Sequence, residues 1–444
     1  MTNDEMTNDT MNNDAMPLLL SKPNRSLRAD ITLDGSKSIS NRALIALALA
    51  GANPTDWLSG LSTSKDTVTL LRLLTQSGGT YDAGDAGTTF RFLTAYLACR
   101  PGTQVLTGSA RMRERPIGPL VQALRELGAG IQFLEKEGYP PLQIGEMRAA
   151  DGAGRATVHI PADTSSQFLS ALLLVGPYLP GGLELVPEGN LVSRPYLEMT
   201  LRLMRHFGAA ADWQDGRITV EPGGYAPRPL RVEADWSAAS YWYAMAAFSD
   251  DLDLRLGGLF AQSWQGDAVL ADMMQRGFGI QTEFEEAGIR LTKSGATVKR
   301  VFEQDFLECP DIAQTLAVVC AGLGVSGLFS GLETLSIKET DRIAALKTEL
   351  VKVGVSFAKL PPRFSKKSPD KVFYALEGPM IWSSTPPRFA TYGDHRMAMA
   401  FAPLAFLGPV EIEHPGVVAK SYPGFWEDLG WAGFAARTSD LSIF

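Results

Sequence analysis

The sequence predicts an α/β protein of two domains, each built from three copies of one strand, loop, helix and strand unit. Three observations predict it. The chain is 444 residues long, beyond the size at which a single hydrophobic core keeps growing. Its 45% apolar and 20% charged residues are those of an ordinary globular protein. A helix that stops at glycine and runs into an alternating strand recurs along the chain.

The copies are LLRLLTQSGGTYD, VQALRELGAGIQF, LRLMRHFGAAADW, ADMMQRGFGIQTEF, LKTELVKVGVSFA and, more weakly, FWEDLGWAGFAA. Leu and Met at i, i+3 and i+4 give the helix an apolar face, glycine supplies the left-handed residue that ends it, and period-two alternation marks a strand packed on that helix. A second element precedes each copy: small residues, a short alternating strand, then a polar loop, as in GANPTDWLSGLSTSKD, PGTQVLTGSARMRER, PGGLELVPEGNLVSRP, DDLDLRLGGLFAQSWQGD, VSGLFSGLETLSIKETD and GPVEIEHPGVVAKSYP. The loop is charged in every copy: Asp66, Arg115, Arg194, Asp267, Lys338 with Arg342, and Lys420. Any α/β protein shares part of this grammar. The recurring charge does not follow from it, and loops leading from strand to helix are where such proteins place anionic ligands.

Composition excludes several classes. A net charge of −8 opposes the basic stripe that a duplex-binding surface needs, so no nucleic-acid partner is expected and any anion must be held locally. The nearest approach to a membrane span, Phe168 to Leu179, is broken by Gly176 and Pro177 and falls short of the required run of about 18 residues, so no membrane role is expected. Cys99, Cys309 and Cys320 are widely spaced and set among apolar residues, the pattern of buried thiols in a reducing compartment. His159, His206, His395 and His414 lack metal-ligand spacing, so no metal is expected. Residues 1–16 repeat Met, Asn, Thr and Asp with neither periodicity nor the features of a signal or transit peptide, and read as a disordered tail on a cytoplasmic protein. A monomer is expected.

Eight stretches carry chemistry. Gly35-Ser36-Lys37-Ser38-Ile39-Ser40-Asn41-Arg42 follows a strand at Ile31 to Leu33 and opens the helical run ALIALALAG. Glycine lets the backbone turn tightly, serine offers donors at a helix start, and Lys37 with Arg42 add cations over one turn. That is a phosphate cradle, though not a P-loop, because GxxxxGK[ST] is absent. A serine-rich helix cap is the plain alternative. Asp85 to Arg91 opens another helix, where Gly87 permits close approach of a ligand to the backbone, or merely caps it. Arg111, Arg113 and Arg115 crowd three like charges ahead of a proline-initiated helix, to be relieved by solvent or by a bound anion.

Ser165-Ser166-Gln167 and Ser193-Arg194-Pro195-Tyr196 place neutral donors beside helix starts, suited to hydroxyls and a phosphate, and equally familiar as caps. Asp311 opens an otherwise apolar helix, whose dipole keeps a carboxylate ionised; it is also a natural N-cap. In Lys338-Glu339-Thr340-Asp341-Arg342 a helix start brings Lys338, Asp341 and Arg342 near one side, as a binding group or a salt-bridged face. Asp394-His395-Arg396-Met397-Ala398-Met399 puts His and Arg at the head of an apolar helix, and Lys420 follows the next strand.

In this order, from about Ile31 to Pro423, these stretches resemble the 5-enolpyruvylshikimate-3-phosphate synthases, a family of enolpyruvyl transferases. The resemblance implies an α/β two-domain enolpyruvyl-transferase fold, each domain three βαβαββ repeat units, with a ligand cleft between domains. It implies an inserted first domain over 33–232 and a second domain over 17–32 plus 233–444. It implies transfer of the enolpyruvyl group of phosphoenolpyruvate to the 5-hydroxyl of shikimate 3-phosphate, releasing phosphate, within the shikimate pathway of aromatic amino-acid biosynthesis. It also implies that fixed cations around the donor make a metal or organic cofactor unnecessary. By motif, Lys37, Ser38, Arg42, Ser165, Ser166, Ser193 and Tyr196, with Thr334, hold shikimate 3-phosphate. Gln167 lies between both ligands. Phosphoenolpyruvate meets Lys37, Gly87, Arg115, Arg342, Arg396 and Lys420, with His395 supporting them. Asp311 accepts the hydrogen bond of the attacking hydroxyl, Glu339 stands where the family keeps its general acid, Lys37 counts with them as catalytic, and Lys338 touches the substrate and assists proton transfer.

Asp34 stands where the family usually has Pro, Asp85 where it has Asn, Lys65 where it has an acid and Thr334 where it has Asn. The segment between Asp66 and Asp85 is shorter than in many relatives. Asp34 and Asp85 add negative charge beside anion sites, which should weaken binding unless neighbours compensate. The nearest rival is the sister enzyme that enolpyruvylates a UDP-sugar; its loop typically carries a reactive cysteine, and Ser109 to Gly118 has none. A non-catalytic phosphosugar-binding protein on the same scaffold would lack Asp311 or Glu339, and both are present.

Overall fold

The structure is a computed structural model. It describes residues 16–148, 154–161, 165–189, 191–192, 194–295, 298–365 and 371–438, so residues 1–15 of the expected tail lie outside it. The chain divides into two compact units, Asp34–Glu233 and Met1–Leu33 with Ala234–Phe444.

One sheet plan recurs in both. Two strands run parallel, and the second pairs with one arm of an antiparallel two-stranded arrangement. In the unit Asp34–Glu233 the order across the sheet is Thr80–Asp82, Thr103–Thr107, Leu142–Met147, Ala129–Phe133, and again Ala156–Pro161, Leu183–Glu188, Arg217–Val220, Ala211–Gln214. In the other unit it is Ser26–Thr32, Asp251–Gly257, Gly288–Lys293, Ile280–Phe284, then Val301–Asp305, Ser326–Ser330, Tyr374–Glu377, Ser356–Lys359. The last sheet closes on the start of the chain, where Leu18–Ser21 lies between Val410–Ile412 and Ala435–Arg437, with Arg388–Phe389 at its edge.

The remaining sheet is only the parallel pair of Leu230–Arg231 and Leu58–Ser59. The repeat pattern expects a strand after LLRLLTQSGG packed on its own helix. A strand does form there, but Thr80–Asp82 is the opening strand of the next sheet. Residues 75–79, between it and the helix Lys65–Leu74, are too few for a hairpin. At both crossings between units a strand and its following helix part: Ser26–Thr32 pairs in one unit and Lys37–Leu49 belongs to the other, while Leu230–Arg231 and Trp236–Phe248 do the reverse.

Each unit packs three helices on one another: Lys37–Leu49, Gly87–Ala98 and Ser166–Val175 in one, and Trp236–Phe248, Ala313–Leu323 and His395–Phe401 in the other. Every residue of Trp236–Phe248 and of His395–Phe401 is buried. A helix with no wet side offers only its ends to polar chemistry. The second helices of the repeats are amphipathic. Leu270–Phe278 buries Leu270, Met273, Met274, Gly277 and Phe278, then stops at Gly279, whose φ of 67° is the left-handed turn that favours glycine. Strand Asp251–Gly257 buries Leu252, Leu254 and Leu256 and turns Asp251 and Arg255 outward.

Phe329 is fully buried, with ring centroids of Phe302, Phe306 and Phe357 at 6.2, 5.2 and 6.2 Å. Phe329→Ala should cost about 3–5 kcal/mol, measured as a shift of the urea unfolding midpoint; an unmoved midpoint would show that this cluster does not hold its sheet.

Candidate active site

In the unit containing residues 234–438, the site is organised by one buried guanidinium. Arg342, the first residue of helix Arg342–Val351, is 1% exposed. Its Nε donates to Asp394 Oδ2 at 2.7 Å and its Nη2 to Asp394 Oδ1 at 3.4 Å. Nη1 reaches Asp311 Oδ1 at 3.1 Å, and Nη2 reaches Glu339 Oε2 at 2.9 Å. Burial works against its charge, but Asp394, Glu339 and Asp311 together outweigh it and raise its pKa.

The predicted neighbours gather around this centre. Arg396 Nη2 lies 3.1 Å from Asp311 Oδ2, and its Nη1 donates to the Asp311 carbonyl at 3.1 Å. Lys338 Nζ is 3.9 Å from Asp311 Oδ1, and Lys420 Nζ is 3.5 Å from Glu339 Oε1. Burial holds the Lys338 ammonium below its ordinary value; Asp311 and Glu339 oppose that, while Arg342 and Arg396 reinforce it. His395 is buried beside them, its Nδ1 3.8 Å from Asp394 Oδ1. The Thr334 hydroxyl is buried with no hydrogen-bond partner among the described residues.

The alternative roles separate by residue. Asp341 is a helix cap, accepting from the amides of Ile343 and Ala344 at 3.1 and 3.0 Å. Asp311 is not the cap of its turn; Cys309 holds that place, and Asp311 turns its carboxylate to the cations.

In the unit Asp34–Glu233, polar groups also gather at helix heads. Lys37 Nζ lies 3.2 Å from Asp66 Oδ2, and the Asp66 carbonyl accepts from the Thr89 hydroxyl at 2.9 Å. Gln167 Nε2 donates to the Thr88 hydroxyl at 3.0 Å. Ser36 occupies the cap position of helix Lys37–Leu49 without capping it, its Oγ buried and partnerless among the described residues. Ser165 does cap, accepting from the Gln167 amide at 3.3 Å, and Ser166 begins that helix.

The crowded arginines sort themselves. Arg111 pairs with Glu114 at 2.8 Å and Arg113 with Glu135 at 3.2 Å. Arg115, half-buried, has no carboxylate within pairing distance among the described residues. Its guanidinium rests on Gly87: a Cβ there would lie 2.7 Å from Arg115 Nη1 and 2.8 Å from Arg91 Nη1. Arg115 is therefore a cation open to an anion, and glycine is what makes room for it.

Arg42 lies deeper. It donates to Thr200 Oγ1 at 2.7 Å, the Ser38 carbonyl at 2.8 Å and Ser170 Oγ at 3.0 Å, with the Tyr196 ring 5.9 Å away. Burial pushes it down to about 10, so it stays charged at neutral pH. Arg42 thus ties the Ser38 backbone to Ser170 and Thr200 beside the Tyr196 ring. Ser193 lies outside the described residues.

The added acids are compensated. Asp34 accepts from the Thr63 amide at 2.6 Å, the Thr63 hydroxyl at 3.0 Å and the Ser62 hydroxyl at 3.3 Å; its carboxyl is nevertheless raised, burial being the largest cause. Asp85 accepts from the Ser109 hydroxyl. Sequence reasoning assigned no role to Asp394, Thr88 or Ser237, and named Asp267 only as the charged loop residue of its repeat. Asp394 had a signal, an acid directly ahead of an apolar helix, and it caps that helix by accepting from the Arg396 amide at 2.8 Å.

A sequence profile of EPSP synthase (3-phosphoshikimate 1-carboxyvinyltransferase) matches residues 73–429. A 3-phosphoshikimate 1-carboxyvinyltransferase of Bacteroides fragilis is 47% identical over 427 residues, covering 96% of this chain and 100% of its own. One of Vibrio atlanticus is 34% identical over 444 aligned positions, covering 93% and 99%. The solved EPSP synthase of Acinetobacter baumannii superposes with a TM-score of 0.73 at 21% identity over 95% of this chain and 100% of that one, a likeness of fold.

Removing Asp394 takes a buried partner from Arg342 and a cap from the helix His395–Phe401. Asp394→Ala should lower stability by about 3–5 kcal/mol, and Asp394→Asn by less, because Asn caps about as well as Asp. Urea unfolding of both variants checks the order.

Proposed function

The chain belongs to the EPSP synthase family and is an enzyme of the shikimate pathway that transfers the enolpyruvyl group of phosphoenolpyruvate to shikimate 3-phosphate; on that premise we propose how its own residues share the work. One observation carries the reading: Asp311 and Glu339 both sit on the guanidinium of Arg342, with Arg396, Lys338 and Lys420 around them. The acceptor's hydroxyl oxygen bonds to the enol carbon that bears the phosphate while Asp311 takes the hydroxyl proton. Glu339 gives a proton to the methylene carbon. Phosphate then leaves with the proton held by Asp311, and Glu339 recovers its own as the double bond reforms. Each proton transfer contributes about 10²- to 10⁴-fold.

Asp311 lies among three cations, Lys338, Arg342 and Arg396. Glu339 faces Arg342 and Lys420. Substrate anions drawn to those cations compete with Glu339 for them. Lys37, Gly87, Arg115, Gln167, Arg342, His395, Arg396 and Lys420 serve phosphoenolpyruvate in this scheme. Lys37, Ser38, Arg42, Ser165, Ser166, Gln167, Ser193, Tyr196, Asp311, Thr334 and Lys338 serve shikimate 3-phosphate. Arg115, without a carboxylate partner among the described residues, and the buried hydroxyl of Thr334, without a hydrogen-bond partner among them, support those two assignments. A monomer acting in the cytoplasm completes the proposal.

In a phosphate-release assay, Asp311→Asn and Glu339→Gln should each fold and lose at least about 10²-fold in turnover; turnover like the parent's in either would remove that residue from its role. Arg115→Ala should raise the KM for phosphoenolpyruvate by about tenfold while moving that for shikimate 3-phosphate little, and equal rises would count against the assignment. Light scattering should give the mass of one chain, 48.0 kDa.

A further inference from the structure

Behind the acids and cations already given roles stands another buried acid. Asp267, in the turn Gly266–Val269, is 6% exposed, and its Oδ2 accepts from the hydroxyl of Ser237 in the first turn of helix Trp236–Phe248. A serine hydroxyl has one hydrogen, so with that hydrogen on Asp267 its lone pairs face its other neighbour. That neighbour is Arg396, whose Nη2 lies 3.4 Å from Ser237 Oγ. The same Nη2 is 3.1 Å from Asp311 Oδ2. The loop carrying Asp267 is clasped to the same helix start, for Gln265 accepts from the Trp236 amide at 3.2 Å and donates to the Ala234 carbonyl at 2.7 Å.

A continuous path thus runs from Asp267 through Ser237 and Arg396 to Asp311. We propose that Asp267 is a positioning residue of the reaction, fixing through Ser237 the direction of Arg396, and through Arg396 the carboxylate of Asp311. The inference rests on Asp311 being the group that receives the hydroxyl proton. Asp267 itself touches no reacting atom.

The groups facing Asp267 make its charge variable. Burial first, then the charge of Asp311, push its carboxyl up to about 7; Ser237 and Arg396 act the other way, Asp235 adds to the rise, and Cys309 is a further neighbour. As a carboxylate it holds the serine hydrogen and leaves the lone pairs to Arg396. As an acid it has a hydrogen of its own to give to Ser237, and the serine hydrogen is freed to turn toward the cation, which offers it no acceptor. The path is intact above about pH 7 and loosened below it. Stability moves in the opposite sense. With a pKa raised from 3.8 to about 7 on folding, Asp267 contributes stability below the lower value and loses it as pH rises through the upper one.

The test compares Asp267→Asn, Ser237→Ala, Ser237→Thr and Asp311→Asn with the parent, by phosphate release and thermal unfolding from about pH 5.5 to 9. Asp267→Asn and Ser237→Ala should fold and lose about 10- to 100-fold in kcat, with a smaller change in the KM for shikimate 3-phosphate. Ser237→Thr, which keeps the hydroxyl, should recover most of the rate. Asp267→Asn should also flatten the rise in rate around pH 7 and gain Tm over the parent as pH increases. A parent-like kcat and pH profile in both Asp267→Asn and Ser237→Ala, beside an inactive Asp311→Asn, would overturn the positioning role and leave the base assignment standing. A loss in Ser237→Ala that Ser237→Thr does not repair would also overturn it. An active Asp311→Asn would remove the base, and this inference with it.

Discussion

The unit that carries Asp311 and Glu339 depends on a single buried charge. An isolated guanidinium taken out of water costs several kcal/mol or more, and the cost is met only if its donors find anions in good geometry. Arg342 finds three, and each does something different. Asp394 holds it through two donors, Nε and Nη2, and caps the neighbouring helix, so one carboxylate ties a charge to a backbone end. Asp311 takes a donor of its Nη1 and Glu339 one of its Nη2, so both acids are anchored on one planar group. Because the surrounding acids raise its pKa further, Arg342 is a permanent charge, and proton traffic is left to the groups around it.

The other unit solves a similar problem without carboxylates on its deepest cation. Arg42 is held by two hydroxyls and a carbonyl, and burial lowers its pKa where anions raise that of Arg342. Neutral partners leave the positive field uncancelled, which suits a region meant to draw anions. Lys37 is balanced by Asp66, and Arg115 meets no carboxylate among the described residues. The same unit takes up its two unusual acids, Asp34 and Asp85, by giving them hydroxyl and amide donors, so their charge does not fall undiminished on neighbouring anion sites.

A common geometric constraint lies beneath both arrangements. The central helices are buried on every side, so polar chemistry can sit only at their ends or on the loops that lead into the amphipathic helices around them. Lys37, Gly87, Ser166, Ser237, Asp311 and Arg396 all stand in or beside the first turns of central helices; Asp66, Arg115, Asp267, Arg342 and Lys420 stand at or before the heads of the outer ones. Sixfold repetition of one unit thus repeats one kind of polar position.

That regularity is why so much was legible without coordinates. The α/β class, the recurring helix, glycine and strand, and the family resemblance all rest on local chemistry: an apolar face, a left-handed residue, a cation at a helix head. Where the pattern failed, the cause was not local. The strand after LLRLLTQSGG formed as expected and joined another sheet, because pairing is chosen by what lies alongside and the five-residue link leaves no room for a hairpin. Nor could sequence separate Asp341, a cap, from Asp311, a partner of cations, since both read as acids at helix starts. Residue types and their order determined by themselves what chemistry was on hand. Which acid meets which arginine, that Asp394 holds Arg342, and that Asp267 stands behind Asp311 were decided only by the tertiary structure, because those contacts join segments tens of residues apart and their strength depends on the burial that packing creates.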